Sequence, residues 1–155
     1  MRATIIVTAV LIALISTPSL AADRTSFGLG LGSLYNGLGV NIAWTAPDDM
    51  KYLAGGCSGY SHSSIDGTNL RCGAGFGWLR TDILTRKNDR HGLGLNIALE
   101  YDQQTSDAVP ILRVPYVFFF NGINQKGLNI GVAPSVAWED GGADFGALIQ
   151  IGYQF

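Results

Sequence analysis

Three residues in the first half of the chain combine a base, a nucleophile and a carboxylate: His62, Ser64 and Asp66. Nucleophilic acyl transfer uses this set, because an imidazole takes the proton of the hydroxyl and a carboxylate orients the imidazole. The spacing is unfavourable, since all three lie in one tight segment and Ser64 follows His62 by two residues. A serine-rich turn with one histidine is also ordinary hairpin composition. We therefore expect a turn without catalytic activity, with hydrolysis as the alternative.

Three charged residues fall among the less apolar positions of the chain: Arg71, Glu100 and Arg113. Glu100 and Arg113 lie on neighbouring predicted strands that a short connection joins. Their side chains could form a polar binding patch or a gate. The simpler interpretation is an ion pair that neutralises charge inside a narrow barrel, whose interior side chains normally fill. We expect Glu100 to pair with Arg113 or with Arg71.

The remaining residues exclude several classes of site. No metal-ligand spacing is present, and the Gly-x-Gly runs lie inside predicted strands without a following helix, so no nucleotide fingerprint is formed. The chain has 10 basic and 12 acidic residues without a basic cluster, which argues against nucleic acid as a partner. We expect no metal and no cofactor. Two cysteines, Cys57 and Cys72, flank the His62–Gly67 turn, and in an exported chain we expect them to form a disulfide.

The first residues have the layout of a secretory signal peptide. Arg2 is followed by an uncharged apolar run and then by small residues up to Ala22, which is the order that export and cleavage require. The apolar run is short for crossing about 30 Å of hydrocarbon. We expect residues 1–21 to be a cleaved signal peptide and residues 22–155 to form one domain.

The mature chain alternates apolar with small or polar residues. One example is Leu93, Leu95, Ile97, Leu99 and Tyr101, which alternate with Gly94, Asn96, Ala98 and Glu100. Side chains on a strand point to opposite faces in turn, so each such segment predicts a strand with one apolar face. Turn residues separate eight predicted strands at about 25–34, 37–45, 51–61, 68–85, 90–102, 108–120, 126–139 and 143–155. Glycines make the pattern weakest in the third.

Alternation alone does not say which face is inside. A soluble sandwich buries its apolar face, whereas a membrane barrel turns it toward lipid. Three features favour the barrel: 14% of residues are charged, the less apolar positions carry Gly, Ala, Asn and Ser, and aromatic residues gather near the ends of the predicted strands, as in interfacial girdles. We predict an all-β antiparallel transmembrane barrel of about eight strands with short loops. Its outer links are expected near Tyr35, at His62–Gly67, at 102–108 and at 139–144.

The end of the chain, from Ile149 to Phe155, alternates apolar residues and finishes on an aromatic one. With the signal peptide and the repeated strands, it resembles the small outer-membrane barrels of the OmpA, OmpX and opacity-like types. Gln150 departs from that pattern, in which a glycine is usual. The resemblance implies the bacterial outer membrane as location, its lipid and lipopolysaccharide as surroundings, and the barrel assembly machinery as a partner of the segment that ends at Phe155.

The resemblance carries little about activity, because one fold hosts many functions. We expect a non-enzymatic barrel with a role in envelope integrity or weak surface interaction. The alternative is a membrane-embedded lipid A acyl hydrolase, since the His62-x-Ser64 step resembles that of the outer-membrane deacylases, although no glutamate follows it. A narrow channel is a further alternative, because small residues inside the barrel could leave water-filled space.

Overall fold

The computed structural model describes residues 24–63, 67–84, 89–103, 106–139 and 141–155, without the side chains of residues 60–69. The predicted signal peptide lies outside these residues. Within them the chain is all-β, as predicted, apart from one 3₁₀ turn at Ser33–Tyr35. No helix in the described part is both long and apolar enough to span a membrane. The strands are β1 (Arg24–Gly32), β2 (Gly37–Thr45), β3 (Asp49–Ser63), β4 (Gly67–Arg80), β5 (His91–Asp102), β6 (Ala108–Arg113), β7 (Tyr116–Phe119), β8 (Gly127–Glu139) and β9 (Gly142–Gln154).

The nine strands form one antiparallel sheet that closes into a ring. Apart from β6 and β7, neighbours in the chain pair with each other, and β9 returns to β1 with Tyr153 opposite Leu29. β6 and β7 share one position between β5 and β8, so the sixth predicted strand is present in two pieces. The break falls at Val114 and Pro115, where proline supplies no N–H to a ladder. We call the end of the ring that holds Arg24 and Phe155 the lower end.

The third predicted strand is regular despite its glycines. β3 has 15 residues and pairs along its length with β4. One of its glycines faces other glycines on both sides, since Gly56 lies opposite Gly39 of β2 and Gly73 of β4. One irregularity interrupts the register between Cys57 and Gly59. Pairing with β2 and β4 therefore forms a strand here, although the glycines weaken the alternation of apolar and polar residues.

The apolar face of the ring points outward. In β5, Leu95, Ile97 and Leu99 are 56%, 64% and 57% exposed, whereas the intervening Asn96 and Ala98 are buried. Other strands follow the same rule, with outward Leu38, Leu53, Leu128 and Ile151. Within the strands, the apolar residues thus point outward and polar residues such as Asn41, Asn96 and Asn129 are buried, which is the reverse of a soluble sandwich.

Apolar side chains fill the lower half of the interior. The cluster comprises Ala43, Met50, Tyr52, Leu79, Val117, Phe119 and Ile123, together with Leu34 and Tyr35 from above. Ile123 belongs to the link between β7 and β8, and its N–H donates to the carbonyl oxygen of Asp89 over 2.9 Å. The lower end is therefore closed by packed side chains.

The link between β1 and β2 turns into the ring instead of lying at its rim. Ser33, Leu34, Tyr35 and Asn36 are all completely buried, and we call residues 33–36 the plug segment. The prediction of an outer link near Tyr35 was wrong in this respect. The turn needs left-handed backbone at Asn36 (φ 53°) and Gly37 (φ 92°), conformations that asparagine and glycine tolerate best.

The plug segment fits because the surrounding strands leave space for it and offer it hydrogen bonds. A Cβ on Gly152 would lie 2.3 Å from Cε2 of Tyr35, so only glycine admits the ring there. Oε1 of Gln150 accepts the N–H of Leu34 over 3.1 Å, and Nε2 of Gln150 donates to Asn129. Asn129 in turn donates to the Tyr35 hydroxyl over 2.8 Å. Gln150, the departure from the usual terminal pattern, thus holds the plug.

The predicted disulfide is confirmed. Cys57 and Cys72 lie directly opposite each other on β3 and β4 and are bonded, at a sequence separation of 15. The bond joins the two strands at the height where the β1–β2 hairpin ends, because Leu38 lies opposite Cys57. It ties the β3–β4 hairpin at the level of the plug segment.

Candidate functional site

A buried ion pair lies above the plug segment. Arg113 of β6 is 2% exposed and Glu100 of β5 is completely buried. Both occupy inward positions, and Nη2 of Arg113 donates to Oε1 of Glu100. β5 and β6 are neighbours with Asn96 opposite Arg113 and Val109 opposite Glu100, so the two residues share the inward face and the long Arg113 side chain spans the distance along the strands.

Three further polar side chains complete the bonding of this pair. Nη1 of Arg113 donates to Oδ1 of Asn36 over 2.8 Å and to Oδ1 of Asn96 over 3.2 Å. The Ser58 hydroxyl donates to the second oxygen of Glu100. Each charge is therefore paired and hydrogen-bonded, as a buried charge requires. Because both carboxylate oxygens are engaged, Glu100 serves as a fixed acceptor.

One polar group of this cluster lacks a partner. The Nε–H of Arg113 is buried, and no described residue accepts a hydrogen bond from it. A buried donor without an acceptor costs about 1–3 kcal/mol. Arg113 also lines a cavity, but its Nε is enclosed by the surrounding protein.

Arg71 belongs to a separate group near the upper rim. Its guanidinium contacts Asp102 of β5 over 3.0 Å and Glu139 of β8 over 2.7 Å. Arg71 and Asp102 lie opposite each other on β4 and β5. The structure thus pairs Glu100 with Arg113 and gives Arg71 other partners, so the alternative of a Glu100–Arg71 pair was wrong.

The cavity above the buried pair has a volume of about 180 Å³. Side chains of both charged groups reach it, and β8 and β9 supply its other wall. Its lining includes Ser58, Arg71, Glu100, Arg113, Asp144 and Leu148. Polar groups from several strands thus converge on this empty space.

The predicted acyl-transfer group falls on the part of the chain that the structure leaves out. Ser64 and Asp66 lie outside the described residues. The backbone of His62 pairs with Thr68 near the tip of the β3–β4 hairpin, and its side chain is not described. Among the described residues, no group of three or more His, Cys, Asp or Glu side chains could hold a metal ion.

Several residues of the site were missed in the sequence. Asn96 shares the inward parity of Glu100, and that parity was a usable signal. Gln150 was recognised as unusual in the terminal pattern, but its partner could not be named. Ser58 and Asn36 carried no signal, because their roles depend on the bulge in β3 and on the inward turn of the plug segment.

Comparisons with protein families, with curated proteins and with solved structures found no match.

Proposed function

We propose that this chain is a small β-barrel of the bacterial outer membrane, with a plugged interior and a structural role in the envelope instead of a catalytic one. The observation that supports this most is the outward apolar face around a polar and plugged interior. Phe145, Ile149 and Leu38 are 80%, 73% and 69% exposed. Soluble monomers rarely expose apolar patches beyond a few hundred Å², and lipid is the solvent that suits this surface.

The strand lengths are consistent with a bilayer. Membrane strands of tilted barrels need about 9–11 residues, and β1 and β2 have 9 residues each while β5 has 12. Up to the height of Gly32 and Gly37 the ring is closed, and closure satisfies the backbone hydrogen bonds that lipid cannot. The interior supports a structural role, because the lower cluster, the plug segment and the Glu100–Arg113 pair occupy it at successive heights.

Cell fractionation and gel migration test the location. We expect the protein to fractionate with outer membranes and to require detergent for extraction. Unboiled protein should migrate differently from boiled protein in a detergent gel, because a closed sheet resists unfolding without heat. A mature protein that is soluble and monomeric in plain buffer would contradict the proposal.

Mass spectrometry of lipid A tests the non-catalytic role. We expect overexpression of the protein to leave the acylation of lipid A unchanged, and the variants Ser64→Ala and His62→Ala to behave like the wild type. Loss of an acyl chain in cells with the wild-type protein, absent with Ser64→Ala, would replace the structural role with the hydrolase alternative.

A further inference from the structure

The wall of the ring has a gap above the β1–β2 hairpin. That hairpin ends at Gly32 and Gly37, level with Gln150 of β9 and Cys57 of β3. β3 continues through residues 58–63, and β9 occupies residues 142–149 on the other side. Each of these two segments has one edge that faces the other segment across the gap. Among the described residues, no strand pairs with either of these edges. The interior is therefore open sideways at this height.

The cavity of about 180 Å³ lies directly behind the gap. One side of the gap contributes Ser58, and the other contributes Asp144, Gly146, Ala147 and Leu148 of β9. A water molecule takes up about 30 Å³ of liquid volume, so the cavity has room for a head group of several heavy atoms. The cavity and the gap together form an entrance from the side of the barrel.

The charges around the cavity disfavour an anion. The cavity is lined by the guanidinium groups of Arg71 and Arg113. Among the described residues, four carboxylates line the cavity or contact these arginines: Glu100, Asp102, Glu139 and Asp144. An added negative charge would meet this acidic excess in a partly enclosed space, where the repulsion is stronger than in bulk water.

The same groups favour a head that both donates and accepts hydrogen bonds. The Arg71 guanidinium lines the cavity with a side chain that is 27% exposed and can donate, and Asp144 and Ser58 offer oxygens that accept. A hydroxyl does both. Polyols carry several hydroxyls without a charge and therefore suit this lining.

The outer edge of the gap is apolar. Ile149 and Phe145 of β9 are 73% and 80% exposed on the outward face, while Leu148 between them lines the cavity. An alkyl chain attached to a head group in the cavity would leave along this strand without entering water. We propose that the cavity binds the uncharged polyol head of a single-chain amphiphile that enters sideways through the gap. This inference rests on the proposed membrane location, because lipid supplies the path of entry.

Titration of the folded protein in phosphatidylcholine nanodiscs tests the inference. The probe is monolauroylglycerol, and the readout is the amide NMR shift of Gly146. We expect saturable shifts with the wild type, and binding of dodecyl sulfate that is about ten-fold weaker because of the acidic excess. Shifts that do not saturate, or tighter binding of dodecyl sulfate or dodecylammonium, would overturn the proposal.

A matched pair of variants locates the site. Leu148→Trp fills the cavity from the inner face of β9, whereas Ile149→Trp adds the same ring to the outer face. We expect the shifts to disappear in the first and persist in the second. Ala137→Phe, from β8, fills the cavity if Leu148→Trp does not fold. Unchanged binding in a folded, cavity-filled variant would contradict the site.

The outcome also separates the two proposals. A protein that inserts into the nanodisc and shows heat-dependent migration, but no saturable shift, refutes the binding site alone. A protein that remains in buffer without lipid refutes the membrane location and the sideways entry together.

Discussion

The Glu100–Arg113 pair shows how individual residues make a polar interior tolerable. Neither side chain reaches water, since their side chains are 0% and 2% exposed. Asn36, Asn96 and Ser58 supply the remaining hydrogen bonds. A buried pair contributes little compared with well-packed apolar residues, but removal of one partner leaves an uncompensated charge. The pair therefore makes the stability of the barrel sensitive to single substitutions.

Replacement of Glu100 alone should cost more than replacement of both partners. Glu100→Gln leaves the Arg113 charge buried without its carboxylate, and we expect a loss of about 3–5 kcal/mol in the free energy of unfolding. The double variant Glu100→Gln, Arg113→Met should lose less. Urea titration of the protein folded in detergent micelles measures both values.

Lys51 supplies the control for that experiment. Its ammonium lies 3.9 Å from Asp49, and its side chain is 50% exposed. Exposed pairs contribute about 0–1 kcal/mol, so Lys51→Gln should change the stability very little. Equal losses in the single and double Glu100 variants would show that Glu100 and Arg113 do not interact.

At the scale of elements, the strands followed from the sequence and the plug segment did not. The alternation is local, so it located the strands, and the position of the cysteines on either side of one turn predicted their bond. The plug segment has no periodicity of its own. Its burial depends on space next to Gly152 and on hydrogen bonds from Gln150, and both residues are remote from it in the chain.

One partner of Arg71 was unpredictable for a similar reason. Asp102 lies opposite Arg71 in the pairing of the neighbouring strands β4 and β5, so ring closure is not needed to bring these two together. Glu139 reaches Arg71 from β8, which is not a neighbour of β4 in the sheet. Contacts across the interior of a ring depend on its closure, and no pattern within one strand reveals them.

Gly152→Ala tests whether the plug segment is held as described. The new Cβ would lie 2.3 Å from the Tyr35 ring, and overpacking of this kind costs about 1–3 kcal/mol. We expect a lower free energy of unfolding in urea titration. Tyr35→Leu in the same chain should recover part of the loss, because it removes the ring that clashes.

Gly146→Ala is the matched control on the same strand and the same face. A Cβ there would meet only the Ser135 hydroxyl, at 3.3 Å, so a much smaller change is expected. If the two alanine variants lose equal stability, the effect comes from the strand backbone and the plug contact does not explain it.

At the scale of the whole molecule, the barrel exposes apolar side chains and buries polar ones, whereas a soluble protein does the reverse. Outward side chains are apolar, the lower interior is packed, and the upper interior is charged and open through one side. Trp44, Trp78 and Trp138 all lie on the outward face, with exposed fractions of 38%, 44% and 48%. These three tryptophans report directly on what surrounds the barrel.

Tryptophan quenching tests the central claim, that the outward face contacts lipid. The protein is folded into vesicles whose phosphatidylcholine carries bromine on the acyl chains, and the matched control uses unbrominated lipid. We expect brominated chains to quench the tryptophan fluorescence strongly and aqueous iodide to quench it little. Quenching by iodide without an effect of the brominated chains would show that this face is in water, and would contradict the account.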